Sequence, residues 1–304
     1  MTICVADYTS ASGPSFSPSA GSIASGTTVT DSCTGGSPYI STGSTAVAGA
    51  TGIVVSSPET LYGSCQGSGY FIAGSASYAI GGTFAFPNAA YANGTSAGAN
   101  SKSLSAFGSP LTDPSFIVVG CMGAGGGGNT FAVPTDTAGN VYVDGGSGQI
   151  QYNGALIQME LFYSLNTHTT SANVVTCNLS AGTLSYLQGS AVEITGAAAS
   201  SPIDGGSGAG YSSKSGTGGS AGANALAATS ITPAGNGDLI LGYFAATNAL
   251  PSAGTSPHAF TDQNPSASTL LETFTQASSA AIAATAGDSY ASDPFGALVI
   301  AVKP

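Results

Sequence analysis

The stretch Phe116–Val119, which reads FIVV, decides how this 304-residue chain folds. Its aromatic and β-branched residues are the types enriched in strands. Runs of the same kind recur between clusters of glycine, serine and asparagine, at residues 52–56, 60–62, 70–72, 77–80, 140–143, 156–163, 173–177, 191–194, 238–244 and 297–302. Because helical periodicity is almost absent, this spacing predicts an all-β protein built of sandwiches or barrels.

Charged residues are unusually rare in this chain. Lysine and arginine together number 3, and charged residues make up 6% of the sequence, against roughly a quarter in an ordinary domain. The apolar fraction is 42%, which is too high for a disordered chain. A surface of serine, threonine, asparagine, glycine and alanine must follow, and it is typical of protease-resistant extracellular or virion proteins.

The charge balance and the apolar runs exclude two classes of partner. A net charge of -11 excludes the basic footprint that nucleic acids require. No run reaches the ~18 apolar residues that predict insertion into a membrane. Residues 1–7 lack the features of a signal peptide, so either a signal has been removed or none is needed.

The five cysteines suggest disulfides and argue against metal chemistry. None forms a C-x-x-C pair, as zinc and thioredoxin sites do. We expect Cys33 to pair with Cys65 and Cys121 with Cys177, with small buried thiols as the alternative. Cys4 is left over, and it would be a free thiol or a cross-link between subunits.

The N-terminal region resembles a known domain family. Residues 14–23, 26–30, 52–61, 67–70 and 75–80 resemble, in order and spacing, the chitobiase/β-hexosaminidase C-terminal-like domain. This resemblance implies a small immunoglobulin-like sandwich that serves as an accessory module and carries no catalytic residues. The central Tyr-Tyr-Thr-x-Asp-Gly stretch of that family is replaced by residues 38–43, PYISTG, so an inherited binding role does not follow.

The rest of the chain is similar to a β-sandwich of bacterial surface and phage-associated proteins. The similarity rests on short motifs at residues 114–119, 136–142, 173–176, 193–204, 238–240 and 297–300. It implies a jelly-roll-like sandwich without a known activity. The predicted organisation is therefore a strand or linker at 1–12, an immunoglobulin-like domain at 13–82, and a larger jelly-roll-like sandwich at 83–304.

The residues that could support catalysis do not form a convincing set, so we expect no enzyme activity. His168 and His258 lie in polar loop contexts, and no G-x-S-x-G elbow follows a strand. Glu160 and Glu193 lie in strand-like runs and could share a face, as the two carboxyls of a glycosidase must. Without cationic partners, we interpret them as edge or turn residues.

One turn offers oxygen ligands for a metal ion. Asp136, Asn140 and Asp144 are spaced four residues apart around a hairpin turn, and Ca²⁺ prefers such oxygen ligands. Their spacing is not that of an EF-hand loop, and ordinary turn capping is the alternative. Calcium is therefore the single cofactor that the sequence suggests, and the other expectation is no cofactor at all.

The first strand-like run lies at the N-terminus. This β-prone run consists of Thr2, Ile3, Cys4, Val5 and Ala6. Residues 8–12 separate it from the predicted immunoglobulin-like domain. The run would pair with its own domain, or it would add as a donor strand to an open sheet edge of a neighbouring subunit.

The sequence therefore predicts a non-enzymatic structural subunit that binds copies of itself. Filaments, capsid decorations and tail-associated proteins are assemblies of this kind, located outside the cell, on its surface or on a virion, and they can contact other virion proteins. A neutral surface permits such packing with little charge repulsion. The alternative is an extracellular adhesin module that binds cell-surface glycans through exposed tyrosines beside loop carboxylates.

Overall fold

A computed structural model describes residues 13–17, 20–23, 27–34, 37–42, 52–55, 59–67, 70–80, 84–94, 98–125, 129–146, 148–154, 156–166, 168–205 and 211–304. These residues form strands and no helix, so the all-β prediction is confirmed. Contacts divide them into two compact units: one holds the residues up to 80 with Gly235–Gly237, and the other holds the rest.

The N-terminal unit is built of two small sheets. Its strands are β1 (Ser15–Ser17), β2 (Gly21–Ile23), β3 (Thr27–Ser32), β4 (Ser37–Ser41), β5 (Ile53–Val55), β6 (Glu59–Gly67) and β7 (Tyr70–Ile80). One sheet has the order β1-β3-β5 and the other β2-β7-β6-β4. Val29, Leu61 and Ala76 belong to the core cluster that both sheets share. The Cys33–Cys65 disulfide joins the end of β3 to β6 and so links the two sheets.

The second unit begins with a sandwich of nine strands, here called the first sandwich. They are β8 (Ala85–Ala92), β9 (Ser101–Ser103), β10 (Ser115–Ala124), β11 (Phe131–Asp136), β12 (Val143–Asp144), β13 (Ile150–Tyr152), β14 (Ile157–Asn166), β15 (Val175–Leu179) and β16 (Tyr186–Thr195). Its large sheet has the order β12-β14-β10-β16-β8, with β13 also paired to β14. Its small sheet has the order β11-β15-β9.

A second sandwich follows in the same unit. Its strands are β17 (Tyr211–Thr217), β18 (Gly222–Ala227), β19 (Leu239–Ala246), β20 (Ser252–Ala253), β21 (Thr261–Asp262), β22 (Leu270–Thr275), β23 (Thr285–Asp288) and β24 (Pro294–Val302). The large sheet has the order β17-β24-β19-β22-β21, and the small sheet has the order β18-β23-β20.

The two sandwiches repeat one topology. The strands of the two sandwiches can be matched in chain order. The first four strands, β8 to β11, match β17 to β20, and the short β12 and β13 together match β21. The last three strands, β14 to β16, match β22 to β24. This correspondence reproduces both the large-sheet and the small-sheet strand orders. The second unit is therefore a duplicated sandwich at the level of topology.

The two large sheets pack against each other. The central core cluster combines Phe116 and Val118 of β10 with Leu239, Leu241 and Tyr243 of β19. The opposite faces of the large sheets are covered by the two small sheets, which form the second and third core clusters. The unit therefore has four layers, in the order small, large, large, small.

This arrangement corrects the single larger sandwich expected for residues 83–304. Every residue of β10 except the last is buried, and β19 and β24 are buried almost as completely. A strand that is covered on both faces reads as a continuous apolar run rather than an alternating one. A two-layer sandwich covers only one face of each sheet, so strands of this composition require the additional layers.

The second disulfide bears on location. Cys121 of β10 is bonded to Cys177 of β15, with their Cα atoms 5.9 Å apart, and this bond links the large and small sheets of the first sandwich. Both disulfides join the cysteines that the sequence analysis paired, and such bonds are typical of oxidising compartments. Within the described ranges, no helix is long and apolar enough to cross a membrane.

Candidate functional site

The turn after β11 is organised by one carboxylate. The Oδ1 atom of Asp136 accepts hydrogen bonds from the backbone N–H groups of Gly139 and Asn140, at 2.8 and 2.9 Å. Its Oδ2 atom accepts hydrogen bonds from the Asn140 amide, the Tyr142 hydroxyl and the Asn173 amide, at 2.8, 2.8 and 3.0 Å. The turn is thus tied to the loop before β15 through Asn173.

These donors keep the Asp136 carboxyl ionised. Burial opposes ionisation, but the hydrogen bonds from Asn140, Asn173 and Tyr142 outweigh it and lower the pKa of Asp136. Asp144 caps a different turn, where its Oδ1 accepts the N–H of Gly146 at 2.8 Å. In the part of the chain that the structure describes, no group of three or more histidine, cysteine or acidic side chains is placed to hold a metal. Calcium at Asp136, Asn140 and Asp144 stays a prediction.

Replacing Asp136 by alanine is expected to lower the free energy of unfolding by about 3 kcal/mol, because the buried Tyr142 hydroxyl and the buried Asn173 amide would both lose an acceptor. Urea unfolding at pH 7 measures the loss. Asp144→Ala is the control, since this exposed residue caps one turn through backbone donors only, and we expect it to cost less than about 1 kcal/mol. Equal losses for the two variants would contradict this role of Asp136.

Each sandwich contains a pair of carboxyl groups on corresponding strands. Asp144 of β12 lies opposite Phe162 of β14, and Glu160 lies two residues before Phe162. Asp262 of β21 lies directly opposite Glu272 of β22. Asp144 and Asp262 each accept the N–H of the residue two positions later, at 2.8 Å in both cases. The duplication therefore repeats the acidic pair as well as the strands.

The two glutamates of these pairs hold protons near neutral pH. Burial, with the charge of Asp144 added, raises the pKa of Glu160 to about 7. Burial also raises the pKa of Glu272 to about 8 despite the hydrogen bond that Gly254 donates. Glu272 was not among the residues predicted from the sequence, although a glutamate between apolar residues at 270–274 was a usable signal.

A third buried carboxyl lies at the start of β19. The pKa of Asp238 is raised to about 8 by burial and by the neighbouring Asp204 carboxylate, while Lys303 acts in the opposite direction. Asp204 also accepts the backbone N–H of Ala234. Burial thus favours the protonated form of all three carboxyls, Glu160, Glu272 and Asp238. None of the described contacts joins any of them to a nucleophile.

The register separates the two glutamates that could have formed a glycosidase pair. Glu160 lies opposite Cys121 and Glu193 lies opposite Ile117, so they share a face of the large sheet. Four residues along a strand correspond to ~13 Å, which is more than the ~5–9.5 Å that glycoside hydrolysis uses. Glu193 instead accepts hydrogen bonds from Asn88 and from the backbone of Thr112, both at 2.6 Å.

The two histidines lie in different parts of the sequence, and each makes its own local contacts. The His258 ring packs against Phe274, with 4.6 Å between ring centroids. The backbone carbonyl of His168 accepts a hydrogen bond from the Asn166 amide at 2.8 Å. Neither contact pairs a histidine with a serine or a carboxylate.

A cavity of about 260 Å³ opens where the two sandwiches meet. The first sandwich contributes an apolar wall from β10, β14 and β16, and the second contributes the loop after β19. The lining residues are Met122, Ala124, Ile157, Tyr186, Gln188, Ala246, Thr247, Asn248, Ala249, Leu250 and Ser268. No local sequence pattern predicts this cavity, because segments from five separate parts of the chain form it.

The outer edge of the first large sheet exposes apolar side chains. Val141, Val143 and Leu165, here called the apolar edge, are 80%, 43% and 38% exposed. Val143 pairs with Tyr163, and extending this antiparallel register by two residues places Val141 beside Leu165. Tyr142 lies between the two valines in the sequence, and its side chain belongs to the core between the large and small sheets of the first sandwich. Among the described strands, none pairs with the outer side of β12.

One group of site residues lies outside the described residues. It comprises Thr2, Ile3, Cys4, Val5 and Ala6, the candidate donor strand. Their role as a subunit contact stays a prediction.

Comparisons with known proteins add no assignment to this geometry. No family model, curated protein or solved structure matches the chain.

Proposed function

We propose that this protein is a non-enzymatic structural subunit of an extracellular assembly or virion surface, and that it binds copies of itself. The observation that carries the proposal is the apolar edge. Three apolar side chains lie together on a sheet edge whose outer backbone groups have no strand partner among the described residues. An open edge with apolar side chains is a template for pairing with another chain.

The charge distribution favours a second copy of the chain as the partner. Val141, Val143 and Leu165 carry no charge, and edges that natural proteins protect from pairing usually carry lysine, proline or inward charges. The chain has only 3 basic residues and a net charge of -11, so it offers little to attract a strongly acidic partner. An edge-to-edge contact between copies would bury the valines, and among the residues of β12 only Asp144 brings a charge to that contact.

The fold supports the same proposal. Within each large sheet, the order of the four main strands, β8-β16-β10-β14 and β17-β24-β19-β22, supports a jelly-roll-like winding. A sandwich of two sheets linked by a disulfide is also consistent with an immunoglobulin-like N-terminal module. Both folds occur in surface and capsid proteins, so this support is an analogy of fold.

The test is the oligomeric state of the purified chain. We expect the wild-type protein to form oligomers or ordered polymers, visible by light scattering after gel filtration and by electron microscopy. Val141→Lys combined with Val143→Lys should shift the protein to monomers, because two like-charged ammonium groups would meet at the edge in the assembly.

Val133→Lys is the matched control. Val133 is 51% exposed but lies on β11 of the small sheet, so we expect this variant to assemble as the wild type does. A wild-type protein that stays monomeric at millimolar concentration would overturn the proposal. The same conclusion would follow if the edge variant and the control assembled equally well.

A further inference from the structure

We propose that the cavity between the two sandwiches binds a neutral sugar residue, with Gln188 as the polar anchor and Tyr186 as the stacking surface. This site is separate from the apolar edge, since Val141, Val143 and Leu165 do not line the cavity. It would give an assembled subunit a means of attaching to a glycan.

The first reason is an unused acceptor. Gln188 is 2% exposed, and its Oε1 atom is buried with no hydrogen-bond partner. Its Nε2 atom contacts only the Met122 sulfur, at 3.5 Å, and a thioether is a weak acceptor. A buried amide oxygen without a donor costs ~1–3 kcal/mol. Gln188 lines the cavity, so a rotation of its amide group would turn this oxygen towards a ligand hydroxyl there.

The second reason is the chemistry of the wall. Met122, Ala124 and Ile157 form an apolar floor, and Tyr186 is only partly buried at its side. Sugars present C–H groups on one face and hydroxyl donors around the ring, which suits an aromatic surface next to a polar anchor. The rim supplies the polar side chains of Thr247, Asn248 and Ser268.

The third reason is charge and size. None of the described residues that line the cavity carries a charge, so nothing there would pair with a carboxylate, a phosphate or an amine. Binding a charged ligand without a partner costs desolvation energy. A volume of about 260 Å³ lies just below the ~300–1,000 Å³ of sites for drug-sized ligands. It suits one sugar ring better than an extended oligosaccharide.

The test uses the full chain and named probes. Saturation-transfer NMR is run with glucose, galactose, mannose, N-acetylglucosamine and N-acetylgalactosamine, and with glucosamine and sialic acid as charged comparisons. We expect at least one neutral sugar to bind and both charged sugars to give no signal. The same neutral sugar at the end of an immobilised glycan distinguishes a glycan receptor from a site for free sugar.

Three variants show whether binding occurs in this cavity. Gln188→Met removes the anchor, and Ala249→Phe fills the cavity from its rim without changing Gln188. Both should weaken binding more than tenfold while the circular dichroism spectrum is kept. Gln151→Met makes the same chemical change at an exposed position of β13 and should bind as the wild type does.

Two results would overturn the proposal. One is the absence of binding by every neutral sugar, free and immobilised. The other is binding that is equally strong in the wild type and in the Ala249→Phe variant. Because the readout is sugar binding and not oligomeric state, failure here leaves the assembly proposal to its own test.

Discussion

Replacing Gly120 by alanine is expected to lower the free energy of unfolding by about 3 kcal/mol, because it forces the two large sheets apart. Gly120 lies in the middle of β10, and an added Cβ atom would come within 2.5 Å of the Tyr243 ring. Tyr243 is fully buried, so its ring has no solvent to move into. Urea unfolding with the disulfides intact measures the loss.

A double-mutant cycle separates this contact from a general effect of alanine in β10. In a Tyr243→Leu background the ring is gone, and Gly120→Ala should cost less than about 1 kcal/mol, which is a coupling of about 2 kcal/mol. Gly108→Ala is the control, since an added Cβ there meets no atom within 4 Å. A Gly120→Ala cost that is the same in both backgrounds would show that Tyr243 is not the obstacle.

The same kind of contact recurs across the interface between the sandwiches. A Cβ atom added to Gly146 of the first sandwich would collide with the Tyr211 ring of the second, and one added to Gly296 of the second would collide with the Met159 sulfur of the first. A glycine of each sandwich thus leaves space for a large side chain of the other sandwich. The two sandwiches are therefore fitted closely to each other at these positions.

The sequence predicted the strands more completely than their layers. Runs such as residues 116–119 and 297–302 were recognisable because β-branched and aromatic residues mark strands locally. The number of layers depends on how both faces of those strands are covered, and contacts between distant segments determine that. The nearly continuous apolar runs of β10 and β24 were the available signal in the sequence, and such runs favour a strand covered on both faces.

The candidate site shows the same division between local and long-range information. Asp136 and Asn140 do meet, because a turn brings together residues four positions apart. The cavity at Gln188 needs β16 and the loop after β19 to meet, and no local pattern encodes that contact. For Glu160 and Glu193 the sequence suggested a shared face of a sheet. A shared face does not determine the distance between two carboxyl groups unless the strand register is also known.

The other large expected effect is a loss of stability as the pH rises from 5 to 9. The pKa values of Glu160, Asp238 and Glu272 are raised to about 7, 8 and 8 by burial, with neighbouring carboxylates adding to the effect. Such groups have pKa values of about 4 in an unfolded chain. The folded state therefore binds more protons than the unfolded state throughout this window.

The sign follows from that difference in bound protons. Below pH 4 both states are protonated, and the contribution of these carboxyls to stability is fully present. Between pH 4 and the folded pKa values, each group removes up to ~1.4 kcal/mol per pH unit, and the loss stops once the pH passes 8. After allowing for relaxation around each ionised group, we expect a total loss of about 3 kcal/mol between pH 5 and pH 9.

Asp136 does not mask this trend. Its pKa is lowered by its hydrogen bonds, so its contribution is lost only as the pH falls through the acidic range. The net charge of -11 acts in the same direction as the buried acids, because self-repulsion grows as carboxyls ionise. Mild acid is therefore the expected optimum of stability for this chain.

Glu272→Gln assigns the effect to one residue. Glutamine has nearly the same shape and can still accept the hydrogen bond from Gly254, and it cannot ionise. The variant should lose about one third less stability than the wild type between pH 5 and pH 9 in urea unfolding, and it should be the more stable protein at pH 9.

Asp113→Asn is the control, since it removes one charge from an exposed position. It should leave the dependence of stability on pH unchanged. A wild-type stability that stays constant or rises towards pH 9 would contradict the protonated state of these buried acids, because carboxyls with ordinary pKa values produce no loss in that window.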